Sequence, residues 1–163
     1  MNLHYFTREE FDRTYTDPAG EVHVVNWLDK CSPNLIVRLD VLRHLWRAPI
    51  HISPVEGAIG RYCNGESQHC FLKWGEVRAV DIFPDDLQNR YDADRFIIEA
   101  RDIGFTGIGL YANWLFNNAP RIGFHLDVRE GRNPGDPATW GGVHNELGQQ
   151  VYVSLNDAME ELA

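Results

Sequence analysis

Gly123-Phe124-His125-Leu126-Asp127-Val128-Arg129 alternates apolar and polar side chains without a break. Successive side chains of a β-strand point to opposite faces. The pattern therefore predicts a strand with Phe124, Leu126 and Val128 on the core and His125, Asp127 and Arg129 together on the other face. A merely solvated face ordinarily carries Thr, Lys or Glu. A His beside an Asp is better suited to metal binding or to acid–base work.

Working outward, Val77 to Phe83 is a second strand by its β-branched content. Asp81 lies inside it, and a carboxylate in an apolar strand is costly unless it is paired or holds a metal ion. Ala79, its neighbour on the same face, leaves room for an ion. Taken alone, Asp81 is better read as a strand-end residue capping a turn before Pro84. Residues 57 to 75 are rich in Gly, Asn, Ser and Gln and read as a long loop, a kind of segment that is usually functional in a small domain. His69 stands near its far end.

The remaining elements follow from punctuation and periodicity. Thr7-Arg8-Glu9-Glu10 fits a capping box at the start of a short helix. Ser32-Pro33 opens another, with Leu35, Leu39, Leu42, Leu45 and Trp46 at helical spacing and Pro49 ending the run. Ile50 to Ser53 reads as a short strand, and Asp92 to Asp102 as a helix ending at Gly104. Gly107 to Tyr111 is a strand whose glycines allow close backbone packing. Residues 131 to 142 read as a Gly/Pro loop, Val151 to Val153 as an edge strand, and Ser154 caps a closing helix. Helices and strands do not alternate as in a parallel series. The expected class is α+β, with a mixed or antiparallel central sheet and flanking helices in one domain spanning residues 1–163.

Composition narrows the partners. With 44% hydrophobic residues the chain has material for an ordered core, and its net charge of -9 disfavours nucleic acid as a partner. Cys31, Cys63 and Cys70 do not form a disulfide framework by count. The favoured reading is free thiols in a reducing compartment, with pairing or metal ligation by Cys63 and Cys70 as the disfavoured alternatives. No run approaches ~20 apolar residues, so no membrane insertion is expected. MNLHYFTREEFDR lacks the pattern of a secretory signal. Synthesis in the cytoplasm is expected, with any substrate outside it reached by another route.

Two histidines and one aspartate are a common catalytic zinc arrangement, with a fourth position for water. Spacing alone does not select His69, Asp81 and His125 from seven histidines and many acids. The selection comes from a resemblance. "SQH", "GEVRAVDIF", "GIGLY", "FHLDVR" and a trailing Trp140 resemble the D-Ala-D-Ala carboxypeptidase family of zinc peptidases. That family includes phage endolysins and shares its fold with the hedgehog signalling domain. The resemblance runs from "YFTREEF" to about Trp140. It implies a hedgehog/DD-peptidase-like fold, Zn2+ held by His69, Asp81 and His125, and peptidoglycan peptides as substrate. It also implies, more loosely, that Arg61 holds a substrate carboxylate or carbonyl, and that the protein acts at the cell wall after release or as part of a virion.

Two departures from the family pattern stand out. The first His and the Asp are usually seven positions apart, and here they are twelve apart (81 minus 69). Many members carry an acidic general base three residues before the last His, where this chain has Ile122. Asp127, on the metal-facing side by alternation, is the best substitute, as base or as a partner of a metal ligand. Tyr111, Trp114 and Trp140 read as core or loop anchors, with substrate stacking by Trp140 as the alternative, and Arg129 reads as an ion-pair partner. Two rival readings remain. One is a catalytically inactive member serving as a cell-wall-binding or virion structural module. The other is a non-haem iron site built from His125, Asp127 and His144.

Overall fold

In a computed structural model, residues 3–17, 19–145 and 147–162 are described, and they build an α+β fold around a six-stranded mixed sheet. A 3-10 helix at Arg8–Phe11 stands where the short helix is expected and leads into a hairpin, β1 (Asp12–Thr16) with β2 (Val22–Asn26). Helix α1 (Pro33–Trp46) and β3 (Ile50–Ile52) follow, then the short α2 (Phe71–Trp74), β4 (Ala79–Pro84) and α3 (Arg90–Ile103). The chain closes with β5 (Gly107–Phe116), β6 (Ala119–Asp127), β7 (Ala138–His144), β8 (Gln150–Val153) and α4 (Leu155–Glu160). The sheet order is β3-β4-β6-β5-β7-β8, antiparallel throughout except for the parallel β5–β7 pair. No helix among the described residues is long and apolar enough to cross a membrane.

The alternation expected for residues 123–129 holds through Asp127, where β6 ends, and Val128 beyond it is half-buried. Phe124 and Leu126 join the hydrophobic core with Leu35, Leu39 and Leu42 of α1 and Phe96 of α3. His125 and Asp127 occupy the opposite face, yet they too are buried, because side chains from β7 and the 57–75 segment cover them. Helix α3 is capped by the Asn89 carboxamide, which accepts from the amides of Tyr91 and Asp92, and ends at Gly104 in the left-handed region. The Ser154–Asp157 capping box forms in full, and at Thr7 the amide donates to the Glu10 carboxylate while the Glu10 amide donates to the Thr7 carbonyl.

Four expectations are corrected. Leu45 is exposed, because a stripe of buried side chains at 35, 39, 42 and 46 already fills the core-facing side of α1. The last five residues of the expected 131–142 loop belong to strand β7. Its glycines are demanded by packing: a Cβ on Gly141 would lie 2.4 Å from the Ala158 Cβ, and one on Gly142 would lie 2.3 Å from the Tyr111 ring. The 57–75 segment holds α2, and the β1–β2 hairpin was not anticipated. Finally, Cys63 and Cys70 are paired in a disulfide, leaving only Cys31 as a free thiol.

The contrast between two leucines of α1 is testable. Leu39→Ala should lower the unfolding free energy by about 2–5 kcal/mol through a core cavity. Leu45→Ala should change it by about 0.5 kcal/mol or less. Chemical denaturation measures both, and equal effects would contradict this orientation of the helix.

Candidate metal centre

The sheet register assembles the site in rows. Asp81 of β4 pairs with His125 of β6, which pairs with Gly109 of β5, which pairs with Trp140 of β7. One row along, Ala79, Asp127, Gly107 and Ala138 repeat the arrangement. Both glycines clear space for the site. A Cβ on Gly107 would lie 2.2 Å from an Asp127 carboxylate oxygen, and one on Gly109 would lie 2.5 Å from the Trp140 ring. The Trp140 indole therefore covers the sheet beside His125, their ring centroids 5.1 Å apart, and donates to the Tyr111 hydroxyl at 3.2 Å.

His69 comes from outside the sheet and is held on two sides. Its carbonyl accepts from the Arg61 amide at 2.9 Å, and the Gln68 carbonyl accepts from the Arg78 amide just before β4, also at 2.9 Å. The Cys63–Cys70 disulfide closes the same segment one residue beyond His69. Helix α2 and its left-handed cap at Gly75 take up the added chain between His69 and Asp81. The twelve-residue separation is thereby absorbed without displacing the histidine.

The three side chains converge. His125 Nδ1 is 3.0 Å from Asp81 Oδ1 and 3.1 Å from His69 Nε2, and His69 Nε2 is 3.3 Å from Asp81 Oδ1. Ligand atoms about 2.0–2.1 Å from a tetrahedral ion stand about 3.3–3.4 Å apart. The triangle is nearly that of three ligands around one first-row cation. One proton can bridge one of its edges, whereas a cation satisfies all three donors at once. These residues are a buried group able to hold a metal ion.

Behind the triangle a chain of charges fixes the second histidine. His125 Nε2 meets Asp127 Oδ2 at 3.1 Å, and Asp127 is fully buried. Arg129 closes on the same carboxylate, its Nε donating to both oxygens at 2.9 and 3.0 Å. A carboxylate on the far nitrogen of a ligating imidazole fixes its tautomer and raises its basicity.

Burial drives the His69 imidazole down, and Asp81 offsets this only in part, so His69 is held neutral. Burial opposes a charged His125 as well, but hydrogen bonds to Asp127 and Asp81 outweigh it and push the group up to about 9. The carboxyls also resist ionisation in burial. His69 and His125 nevertheless hold Asp81 well below the usual carboxylate range, and Arg129 and His125 bring Asp127 to about 2. The site is thus an anionic hole that holds a positive charge on His125 when no metal ion supplies one.

The triad opens into a cleft of about 680 Å³ bordered by Arg61, Trp140 and Tyr152. Arg61 is among the residues that border it. Asp127 does not border the cleft: alternation gave its face correctly, but its carboxylate is committed to His125 and Arg129. His144 is elsewhere, its Nδ1 3.0 Å from the Asn113 side-chain oxygen, and it does not join His125 and Asp127. Tyr152 and Trp114 border the cleft without a sequence signal, since a single aromatic on a strand usually packs or is solvated. The chain matches no protein-family model, no curated protein and no solved structure.

Calorimetric titration should find one tight divalent-metal site. His69→Ala, Asp81→Ala or His125→Ala should each abolish it, and Asp127→Asn should weaken it roughly 10–100-fold. Tight binding that survives His125→Ala would contradict the assignment. Removing the disulfide with Cys63→Ser should cost about 2–4 kcal/mol of stability and weaken metal binding, because the His69 segment loses its covalent closure. Unchanged metal affinity in that variant would show that hydrogen bonds alone hold His69.

Proposed function

We propose that the chain is a zinc peptidase with a hedgehog/DD-peptidase-like fold, cutting amide bonds in peptidoglycan stem peptides or cross-links. The observation that carries this reading is the buried triangle of His69 Nε2, Asp81 Oδ1 and His125 Nδ1, open on one side to a cleft. Two imidazoles and one carboxylate suit zinc, and an open fourth position is the mark of a catalytic site rather than a structural one. A zinc ion held there polarises a scissile carbonyl and lowers the pKa of water to about 7.

The chain's own groups supply the rest. Asp127 and Arg129 keep His125 in one orientation, so Asp127 is a positioning residue, acting through the imidazole. The Arg61 guanidinium makes one internal bond, from Nε to the Gly57 carbonyl at 3.1 Å. Its terminal nitrogens are free among the described residues to hold a substrate carboxylate or a developing oxyanion. Trp140 and Tyr152 wall the cleft. The disulfide supports action outside the reducing cytoplasm, where such bonds persist.

One observation favours a second reading, a metal-holding module that binds cell wall or serves in a virion without cutting. Among the described residues bordering the cleft, the only carboxylates are Glu66 and Asp81. Glu66 is ion-paired to Lys73 at 2.8 Å, Asp81 belongs to the triangle, and Ile122 packs on the core where relatives of the proposed type carry an acid.

Mass spectrometry of purified peptidoglycan treated with the zinc-loaded protein separates the two readings. The peptidase reading predicts new peptide fragments with the wild type and none with His125→Ala. Bound zinc with no fragments from several wall types would support the binding module instead.

A further inference from the structure

A pocket of about 280 Å³ that shares no residue with the metal cleft is bordered by Glu10, Arg13, His51, Ile52, Pro54 and Phe116. Arg13 of β1 is 8% exposed, and among the described residues no other lysine or arginine is buried. Its Nε donates to the Ser53 carbonyl at 2.9 Å, and its Nη1 donates to the Glu10 carbonyl at 3.0 Å and to the Asp12 carbonyl. These bonds use three of the five N–H donors of a guanidinium. The two on Nη2 make no hydrogen bond among the described residues, and Nη2 is not enclosed, so it meets solvent. The pocket that Arg13 borders opens that nitrogen to a ligand.

A buried charge is ordinarily matched by an opposite one, and Arg13 makes no ion pair among the described residues. The carboxylates around it are committed elsewhere. Glu10 accepts from Arg43 Nη1 and from the Thr7 amide, both at 2.7 Å. Asp12 accepts from the Asn26 carboxamide at 2.6 Å. Asp85 meets His51 Nε2 at 3.1 Å and accepts from Arg121 Nη2 at 2.8 Å. Burial accordingly pulls the Arg13 guanidinium below its ordinary range, and Asp12 and Glu10 offset this only in part. The rest of the wall is largely apolar, with Ile52 buried and the Phe116 ring centroid 5.6 Å from that of His51.

We infer that this pocket is a binding site for a small organic carboxylate, its anion held by Arg13 and its hydrocarbon body by Ile52, Pro54 and Phe116. A carboxylate supplies the single negative charge that Arg13 lacks and accepts a charge-assisted hydrogen bond from it. Inorganic phosphate offers nothing to the apolar wall, and its higher charge is repelled by Glu10, which borders the same pocket. The site needs no metal ion and stands apart from the peptidase reading.

Calorimetric titration of the full chain with phenylpropionate, with its neutral amide and with inorganic phosphate tests this. The acid should bind roughly tenfold or more tighter than the amide, the scale of one charge-assisted hydrogen bond, and tighter than phosphate. In nitrogen-15 NMR spectra the acid should shift the backbone amide signals of Ile52, Phe116 and Asn117 and leave those of His69 and His125 in place, which separates this pocket from the cleft at Arg61. Arg13→Gln should abolish the preference for the acid. Arg13 also ties the 3-10 helix to Ser53, so Phe116→Ala serves as a second variant that keeps the guanidinium. It should weaken the acid about fivefold through the lost apolar wall. Equal affinities for acid and amide, tighter binding of phosphate, shifts confined to the cleft, a preference that survives Arg13→Gln, or unchanged affinity in Phe116→Ala would each overturn the site.

Discussion

One imidazole held between two carboxylates is the constraint on which the rest of this structure depends. His125 meets Asp81 through Nδ1 and Asp127 through Nε2, all three buried in the middle of a sheet. Buried charge is tolerated only when it is matched and hydrogen-bonded. The surroundings read as responses to that demand. Arg129 neutralises the rear carboxylate, Gly107 leaves the space it occupies, and Gly109 lets the Trp140 indole shut water from the flank. The front carboxylate is met by His69, and the three donor atoms then form a triangle that one cation completes.

His69 reaches that triangle from a loop, which is the least rigid way to supply a ligand. Three devices offset the entropy of ordering it. Backbone bonds tie its segment to Arg61 on one side and to Arg78 on the other, the disulfide closes it, and α2 takes up the remaining slack. The same construction orients Arg61, whose amide bonds to His69 and whose side chain lies over Gly57. His69 and Arg61 are therefore parts of one pinned loop.

What the sequence disclosed follows the strength of its periodicities. The 123–129 alternation was legible because Phe124 and Leu126 are fully buried and Val128 half-buried on the core side, and the face carrying His125 and Asp127 could be named from it. The α3 boundaries were close because Gly104 takes a left-handed conformation. Strand β7 was hidden because Gly141 and Gly142 look like loop residues, although α4 and Tyr111 occupy the space their side chains would need. The β1–β2 hairpin was hidden by its exposed, mixed composition. Residues 69, 81 and 125 were selected by resemblance, since nothing local sets the register that pairs Asp81 with His125. Alternation gave the face of Asp127 but not which imidazole nitrogen it would meet, and so could not separate a base from a positioning residue. The pairing of Cys63 with Cys70 depends on the chain reversing between them, which composition does not report.

The central claim is that His69, Asp81 and His125 together hold one metal ion. X-ray absorption spectroscopy of the protein loaded with a single equivalent of zinc tests it most directly. The account predicts only nitrogen and oxygen ligands at about 2.0–2.2 Å, with multiple scattering from two imidazoles. A sulfur shell near ~2.3 Å, or a spectrum unchanged in His125→Ala, would contradict it.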